Sequence, residues 1–346
     1  LKDAQGDTVA QLSELETQKS LWALLTSGGR VGQVTLRSPK LDLVLRPDGS
    51  NLEDVLRPLL ERESEGPATV GLTLVIEDGQ ATIRDAATNR SWQFAKLDAT
   101  VAVPAELAEP ITISGAGDIL GGSSPGRLAV DAKILRPEGP NGVPLPEKAG
   151  LELLNFPLEM LEPLAARVQP GAKLAGSLTT AFTARTEGAG DQRKISFDGQ
   201  ASAAGLAVQL PAWKEALRLQ TLKAPLRGSV HGDVLKIEQL AVESDVGQVA
   251  AAGDLRLAEV ASGDWLAAVD GAPCEVAGRV DLAALARLLP GTLRVREGLV
   301  VQSGGVDWLL SGKPAAPGGY EWNGRVTTSE LPAQQAGRMV RWTDPL

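Results

Sequence analysis

The sequence predicts a mainly β protein whose short strands follow one another as antiparallel neighbours, with few helices. Three observations carry this. Apolar and polar residues alternate with a period of two through much of the chain, which places one set of side chains on each face of a sheet. Asp-Gly or Gly-Asp pairs, the residues of tight hairpin turns, punctuate the alternating runs at 48–49, 78–79, 198–199, 232–233 and 270–271. The 43% apolar share includes only 3% aromatic residues, so the interior is built from Leu, Val, Ala and Ile, which suit a pleated face better than a compact core.

Taken in order, "VTLRSPKLDLVLR" (34–46) reads as two strands broken at Pro39, where a ladder hydrogen bond can be spared. Val34, Leu36, Leu41, Leu43 and Leu45 share one face, with Arg37, Asp42 and Arg46 toward water. Asp48-Gly49 turns the chain into a helix near 51–63, with Ser50 or Asn51 as N-cap, acids in the first turn and an apolar stripe of Leu52, Val55, Leu56, Leu59 and Leu60, its middle disturbed by Pro58. "GLTLVIEDG" (Leu72, Leu74, Ile76) and "ATIRD" (Ile83) read as strands joined at Asp78-Gly79, and "ITISG" as another. "SGAGDILGGSSPG" (114–126) reads as a loop: it lacks the lysine of a GxxxxGK[ST] phosphate loop and opens no helix.

Further on, "PLEMLEPLAARVQPG" predicts a helix near 157–169, and "VDLAALARLLPG" one near 281–289 capped by Asp281. Both run through Pro-Gly toward a strand, a weak internal repeat. Between them, "VLKIEQLAVES" (Leu235, Ile237, Leu240, Val242) and "GDLRLAEV" (Leu255, Leu257) predict strands, as does "TLRVREG", and 311–324 reads as a loop between strands. Residues 135–150, rich in Pro and Gly, are the best candidate boundary, dividing a module at 1–134 from further sheet at 135–346, unless one elongated domain continues throughout.

The chemical candidates are thin. His231 is the one histidine and sits at a hairpin turn; the one cysteine, Cys274, excludes an intramolecular disulfide and multi-cysteine metal sites. Glu77, Asp78 and Asp85 are carboxylates of the kind an acid and base pair needs, but Asp78 is better explained by its turn and Asp85 by the loop that follows. The seven tryptophans are scattered, as packing residues are. A net charge of −9, with acids and bases interspersed, argues against nucleic acid as a partner. No run reaches the roughly 18–20 apolar residues of a membrane-spanning helix. The start at "LKDAQGD", without initiator Met or signal features, leads to the expectation that any targeting segment is removed or lies upstream, and the end at "RWTDPL" that the chain is a piece of something longer. We expect no enzyme activity, metal or cofactor.

What remains is the apolar face itself. A long sheet with few helices leaves that face uncovered unless the sheet curls or something apolar fills it. A curled sheet with an apolar concave face is a groove for acyl chains.

"VTLRSPKLDLVLRPDGSNLEDVL" resembles the AsmA-like proteins of Gram-negative envelopes, in which a strand leads to a proline, a second strand, a DG-x-N turn and a helix. "VGLTLVIEDGQATIRDAATNRSWQFAKLDATVAV" resembles the pattern that follows. The features in question are Pro39, Asp48, Gly49, Asn51, Gly79 and Asp85. "VLKIEQLAVESDVGQVAAAGDLRL" is similar to the recurring strand unit of AsmA, YhdP and TamB relatives. The resemblance implies an elongated, twisted antiparallel sheet curled into a half-pipe, or β-taco. It also implies a periplasmic location, an inner-membrane tether outside this chain, an outer-membrane partner, and movement of phospholipid or another acyl-chain lipid without covalent catalysis. The groove lining is then expected from Val34, Leu36, Leu41, Leu43, Leu45, Leu72, Leu74, Ile76, Ile83, Leu235, Ile237, Leu255 and Leu257. The rival readings are a scaffold that offers a sheet edge to assembling outer-membrane proteins and a purely structural β protein with a filled interior.

Overall fold

The computed structural model describes residues 1–2, 6, 8–19, 30–46, 48–60, 71–122, 124–136, 144–188, 190–263, 265–269, 272–291, 295, 298–315, 319–335 and 337–342. Among the described residues strands make up 67% and helices 12%, and the sheet is open rather than closed into a barrel. The mainly β class read from the alternation is therefore the observed one. Two compact units form, Leu1–Pro170 with Ser177–Thr186, and Gly171–Gly176 with Glu187–Leu346.

The first unit contains β1 (Ala10–Gln11), β2 (Glu14–Thr17), β3 (Arg30–Arg37), β4 (Lys40–Arg46), β5 (Gly49–Ser50), helix α1 (Asn51–Leu60), β6 (Gly71–Asp85), β7 (Ser91–Val103), β8 (Ile111–Leu120), β9 (Gly126–Leu135) and β10 (Leu145–Pro157). A 3-10 turn (Leu158–Leu161), helix α2 (Glu162–Val168) and β11 (Lys173–Glu187) follow. From β6 to β11 each strand pairs antiparallel with the next. At the start, however, β3 and β4 lie end to end along β6 and run parallel to it. The sheet is thus mixed, a departure from the all-antiparallel expectation. The connection from β4 to β6 holds α1, and a helix-containing connection brings a chain back in the same direction.

The break at Pro39 faces a bulge in β6. Ser38 N donates to Glu77 O and Gln80 N to Pro39 O, both at 2.8 Å, so the ladder is bridged across the missing proline N–H. Asp78-Gly79, expected as a hairpin turn, is this bulge: β6 continues through it to Asp85, with Asp78 at φ 52°. A Cβ on Gly79 would lie 3.0 Å from Ile76 Cγ2 and 3.2 Å from Leu97 Cβ, so glycine is there for space.

Of the two candidate caps of α1, Ser50 serves: its hydroxyl accepts from Glu53 N at 3.2 Å. Asn51, 4% exposed, acts instead as a strand surrogate for β4, accepting from Val44 N at 2.9 Å and donating to Asp42 O at 2.8 Å. The backbone helix continues through Pro58; residues 61–63 of the expected helix lie outside the described residues. The Gly-rich 114–126 segment, expected as a loop, is strand through Leu120, because Gly115 and Gly117 make room for Ala99 and Leu97 of β7.

The second unit contains β12 (Lys194–Gln209), β13 (Leu217–His231), β14 (Val234–Ser244), β15 (Gly247–Arg256), α3 (Leu257–Ser262), α4 (Trp265–Val269), β16 (Cys274–Asp281) and α5 (Leu282–Leu288). β17 (Leu299–Val301), β18 (Gly305–Ala315), β19 (Gly319–Thr328), β20 (Leu331–Gln335) and β21 (Arg338–Trp342) complete it. β12 to β16, then β18 and β19, form an antiparallel meander; β17, β20 and β21 form a small separate sheet.

Gly232-Asp233 is the expected two-residue turn, closed by His231 opposite Val234. Asp198-Gly199 is not a turn: it lies within β12, where Asp198 pairs with Arg227 at 2.6 Å. Leu257, expected on a strand, opens α3, because Asp233 captures its backbone: Leu257 N donates to Asp233 O (2.9 Å) and Ala258 N to Asp233 Oδ1 (3.1 Å). Asp281 caps α5 as expected, accepting from Ala283 N and Ala284 N at 2.9 and 3.0 Å. The 311–324 segment, expected as a loop, is mostly the β18–β19 hairpin, with 316–318 outside the described residues. Asp270-Gly271 and most of "TLRVREG" also lie outside them.

Candidate functional site: an uncovered apolar sheet face

Residues directly opposite each other on paired strands share a face, so the registers define which side chains form continuous rows. In the first unit one row runs Val34, Leu74, Val101, Ile113, Ala132, Ala149, Ala184 from β3 to β11. The next runs Leu36, Ile76, Ala99, Gly115, Val130, Leu151, Phe182 along the same strands. Leu72 opens a third with Val103. Beyond the β6 bulge, Leu41 stands beside Ala81 and Phe94, and Leu43 beside Ile83 and Trp92. Apart from Leu257, the lining residues expected from sequence sit on sheet strands; Leu45 is opposite Asp85 at the end of β4.

The face is covered at one end only. There Trp92, Phe94 and Ile119 pack with Met160 from the 3-10 turn, supported by Ala81, Ile83, Leu97, Leu128 and Phe156. Ile119 is 1% exposed and Trp92 4%. The same rows toward the other end, including Val34, Leu36, Leu72, Leu74, Ile76, Val101 and Ile113, are only half-buried. Paired strands enclose their flanks, and none of them belongs to the buried cluster or packs against it.

The second unit repeats the pattern. Leu226, Leu240, Ala251, Val276 and Leu310 form one row, and Val242, Val249, Gly278, Trp308 and Val326 another. Leu235 pairs with Leu255, and Ile237 with Gly253. Several members are openly exposed: Val242 and Val249 at 36%, Leu310 at 39%, Val326 at 61%.

Aromatic rings on this face occupy the space above glycines. A Cβ on Gly278 would fall 2.2 Å from the Trp308 ring, one on Gly228 2.7 Å from the Phe197 ring, and one on Gly312 2.5 Å from the Tyr320 ring. Such glycine–aromatic pairs help to hold register.

The opposite face is polar and cross-linked by ion pairs: Arg37–Glu16, Lys148–Asp131, Arg227–Asp198, Arg279–Asp307 and Lys313–Glu321. The hydrogen bonds that Arg37 and Arg227 donate to the carboxylates of Glu16 and Asp198 raise both guanidinium groups above the ordinary arginine value. One side of each sheet is therefore apolar and the other polar.

Sequence reasoning missed Val101, Ile113, Val130, Leu151 and Phe182 as members of the rows. Their signal was the same alternation, in "DATVAV", "ITISG", "RLAVDAKIL", "GLELL" and "TTAFTA". The polar candidates have structural partners. Asp85, 4% exposed, accepts from Ala87 N and the Thr88 hydroxyl and closes its own loop. His231 is exposed at the hairpin. Cys274 lies 3.3 Å from the Tyr320 hydroxyl. Among the described residues no group of three or more His, Cys, Asp or Glu is placed to hold a metal, and no helix is long and apolar enough to cross a membrane. No protein family, curated protein or solved structure matches this chain.

Proposed function

We propose that the chain is a non-enzymatic lipid-handling segment of an AsmA-like envelope protein, whose apolar sheet face carries phospholipid acyl chains between the inner and outer membranes in the periplasm. The observation that carries this reading is the set of aligned, half-buried aliphatic rows in the first unit, covered at one end and open at the other. A monomeric soluble protein rarely leaves a large contiguous apolar patch exposed without a partner for it.

The dimensions suit acyl chains. The row from Val34 to Ala184 crosses six inter-strand steps. At about 4.8 Å each this is a track of about 29 Å, comparable with the roughly 30 Å hydrocarbon core of a bilayer. Each methylene laid on it gains about 0.8 kcal/mol when fully buried, and the gain is spread over Val, Leu, Ile and Ala of similar chemistry. A uniform surface of this kind binds tails while letting them slide.

The test is native mass spectrometry and lipid extraction of the purified chain, with a photoreactive acyl probe crosslinked from position 74 and, as control, from position 119. Co-purified phospholipid with crosslinking at 74 and not at 119 is the expected result. Absence of lipid together with no crosslinking at 74 refutes the reading.

A further inference from the structure

The outer strand of the second unit's meander has a pattern that the lipid reading does not use. β19 pairs through ten residues with β18 and with no other strand among the described residues. Glu321 to Thr327 are all exposed, so this edge presents unpaired backbone groups to water. Such an edge is a template for strand addition, and its side chains decide what adds.

Read about Asn323, the strand "YEWNGRV" is complementary to its own antiparallel copy. Asn323 falls opposite Asn323, Glu321 opposite Arg325, Trp322 opposite Gly324 and Tyr320 opposite Val326. Opposite charges directly across a pair of strands stabilise it and like charges oppose it, and every charge in this register meets its opposite. The Trp322–Gly324 pairs repeat the ring-over-glycine arrangement that the same sheet uses at Trp308 and Gly278. The alignment also keeps faces together. Tyr320, Trp322, Gly324 and Val326 stand on the apolar side, opposite Pro314, Gly312, Leu310 and Trp308 of β18. Trp322 at 40% and Val326 at 61% exposure would gain apolar neighbours from the second copy.

We propose that β19 is a self-association edge: two copies of this chain pair antiparallel through β19 about a two-fold axis at Asn323, joining their apolar faces. The inference stands on the register and charges of β19 and is independent of whether lipid occupies that face. A contact of one strand per copy falls below about 1,200 Å² of buried surface, the range of transient complexes, so the dimer forms and dissociates with concentration.

Sedimentation velocity over a concentration series tests this with three proteins. The natural chain is expected to show a dimer fraction that rises with concentration. Arg325→Glu and Glu321→Arg each place like charges opposite one another at both symmetry-related positions, and each alone is expected to stay monomeric. Mixed in equal amounts the two variants restore every opposite pair, so a heterodimer is expected to return. Circular dichroism melts near that of the natural chain establish that both variants fold. In a Cys274→Ala background, Asn323→Cys is expected to give an oxidised dimer, since directly opposite Cα atoms lie about 4.5–5.5 Å apart and disulfides span about 4.4–6.8 Å. Glu321→Cys is not, its copy being about 13 Å away along the strand. A natural chain that remains monomeric throughout, single variants that dimerise undiminished, a mixture that does not associate, or equal crosslinking at 321 and 323 each overturns the proposal.

Discussion

If the open half of the first unit's face meets solvent or a mobile ligand rather than protein, equal truncations at its two ends differ sharply in cost. Ile119→Ala and Leu74→Ala each remove three carbons. Ile119 is 1% exposed among Trp92, Phe94 and Met160, so its truncation loses about 2.4 kcal/mol of transfer free energy at 0.8 kcal/mol per methylene. A cavity sealed by rigid aromatic neighbours adds to this, placing the total in the upper part of the roughly 2–5 kcal/mol range. Leu74 is half-buried between Val34 and Val101. Its truncation loses about 1 kcal/mol and leaves no closed cavity, because the space opens outward. Urea unfolding of the natural chain and both variants, followed by circular dichroism, therefore gives a gap of about 2 kcal/mol or more between the variants. Leu74→Gln keeps the fold at similar cost while lowering co-purified lipid. If Leu74→Ala costs as much as Ile119→Ala, something proteinaceous covers the open end and the reasoning fails.

Three further outcomes follow from particular contacts. Gly278→Val drives a side chain into the Trp308 ring and is expected to lower stability by about 1–3 kcal/mol; thermal unfolding checks this, and Trp308→Ala in the same chain should relieve part of the loss. Asn51→Ala strands Val44 N and Asp42 O beneath α1, costing about 2–3 kcal/mol, whereas the cap change Ser50→Ala costs about 1 kcal/mol, an order that denaturant midpoints will reveal. Asp54 is held below the ordinary carboxylate range by its hydrogen bond from Arg46. Because its folded value is depressed, the pair's contribution is present above the unfolded value of about 3.9 and is lost as pH falls through the lower folded value, so Asp54→Asn should flatten the acid limb of a stability–pH profile.

Period-two alternation made the strands and their dry side legible, since it identifies a face. It carries no direction, so the parallel pairing of β3 and β4 with β6 was not legible; the clue lay in the intervening helix, read as a local element rather than as a crossover. Asp-Gly pairs misled for a specific reason. Glycine meets two demands, positive φ and absence of a Cβ, and sequence does not separate them. At Gly232 the first applies, with φ 58° at a true hairpin. At Gly79 the second applies, inside a bulge. Asp198 matches neither demand and serves as the ion-pair partner of Arg227. Alternation also cannot distinguish a face that is covered from one that is not, and that difference defines the candidate site. Ile83 and Leu74 look alike in sequence; Met160, distant along the chain, belongs to the aromatic cluster that packs against Ile83 and not against Leu74.

The scarcity of aromatic residues bears on the same point. With seven Trp, four Phe and one Tyr in 346 residues, placement matters more than number. In the first unit Trp92, Phe94 and Phe156 gather at the covered end, where bulk closes the core against Met160. In the second, Phe197, Trp308 and Tyr320 lie over glycines. The open rows are left mainly to Val, Leu, Ile and Ala, with glycines at positions such as 115. A chain selected only for stability would gain by raising large rings on such a face and closing a second layer over it, since aromatic side chains bury the most area per residue. Low, even aliphatic rows forgo that gain and preserve a surface without high points along the direction from strand to strand. A face that binds many methylenes weakly, with no single position deciding affinity, requires that surface; a filled structural core does not.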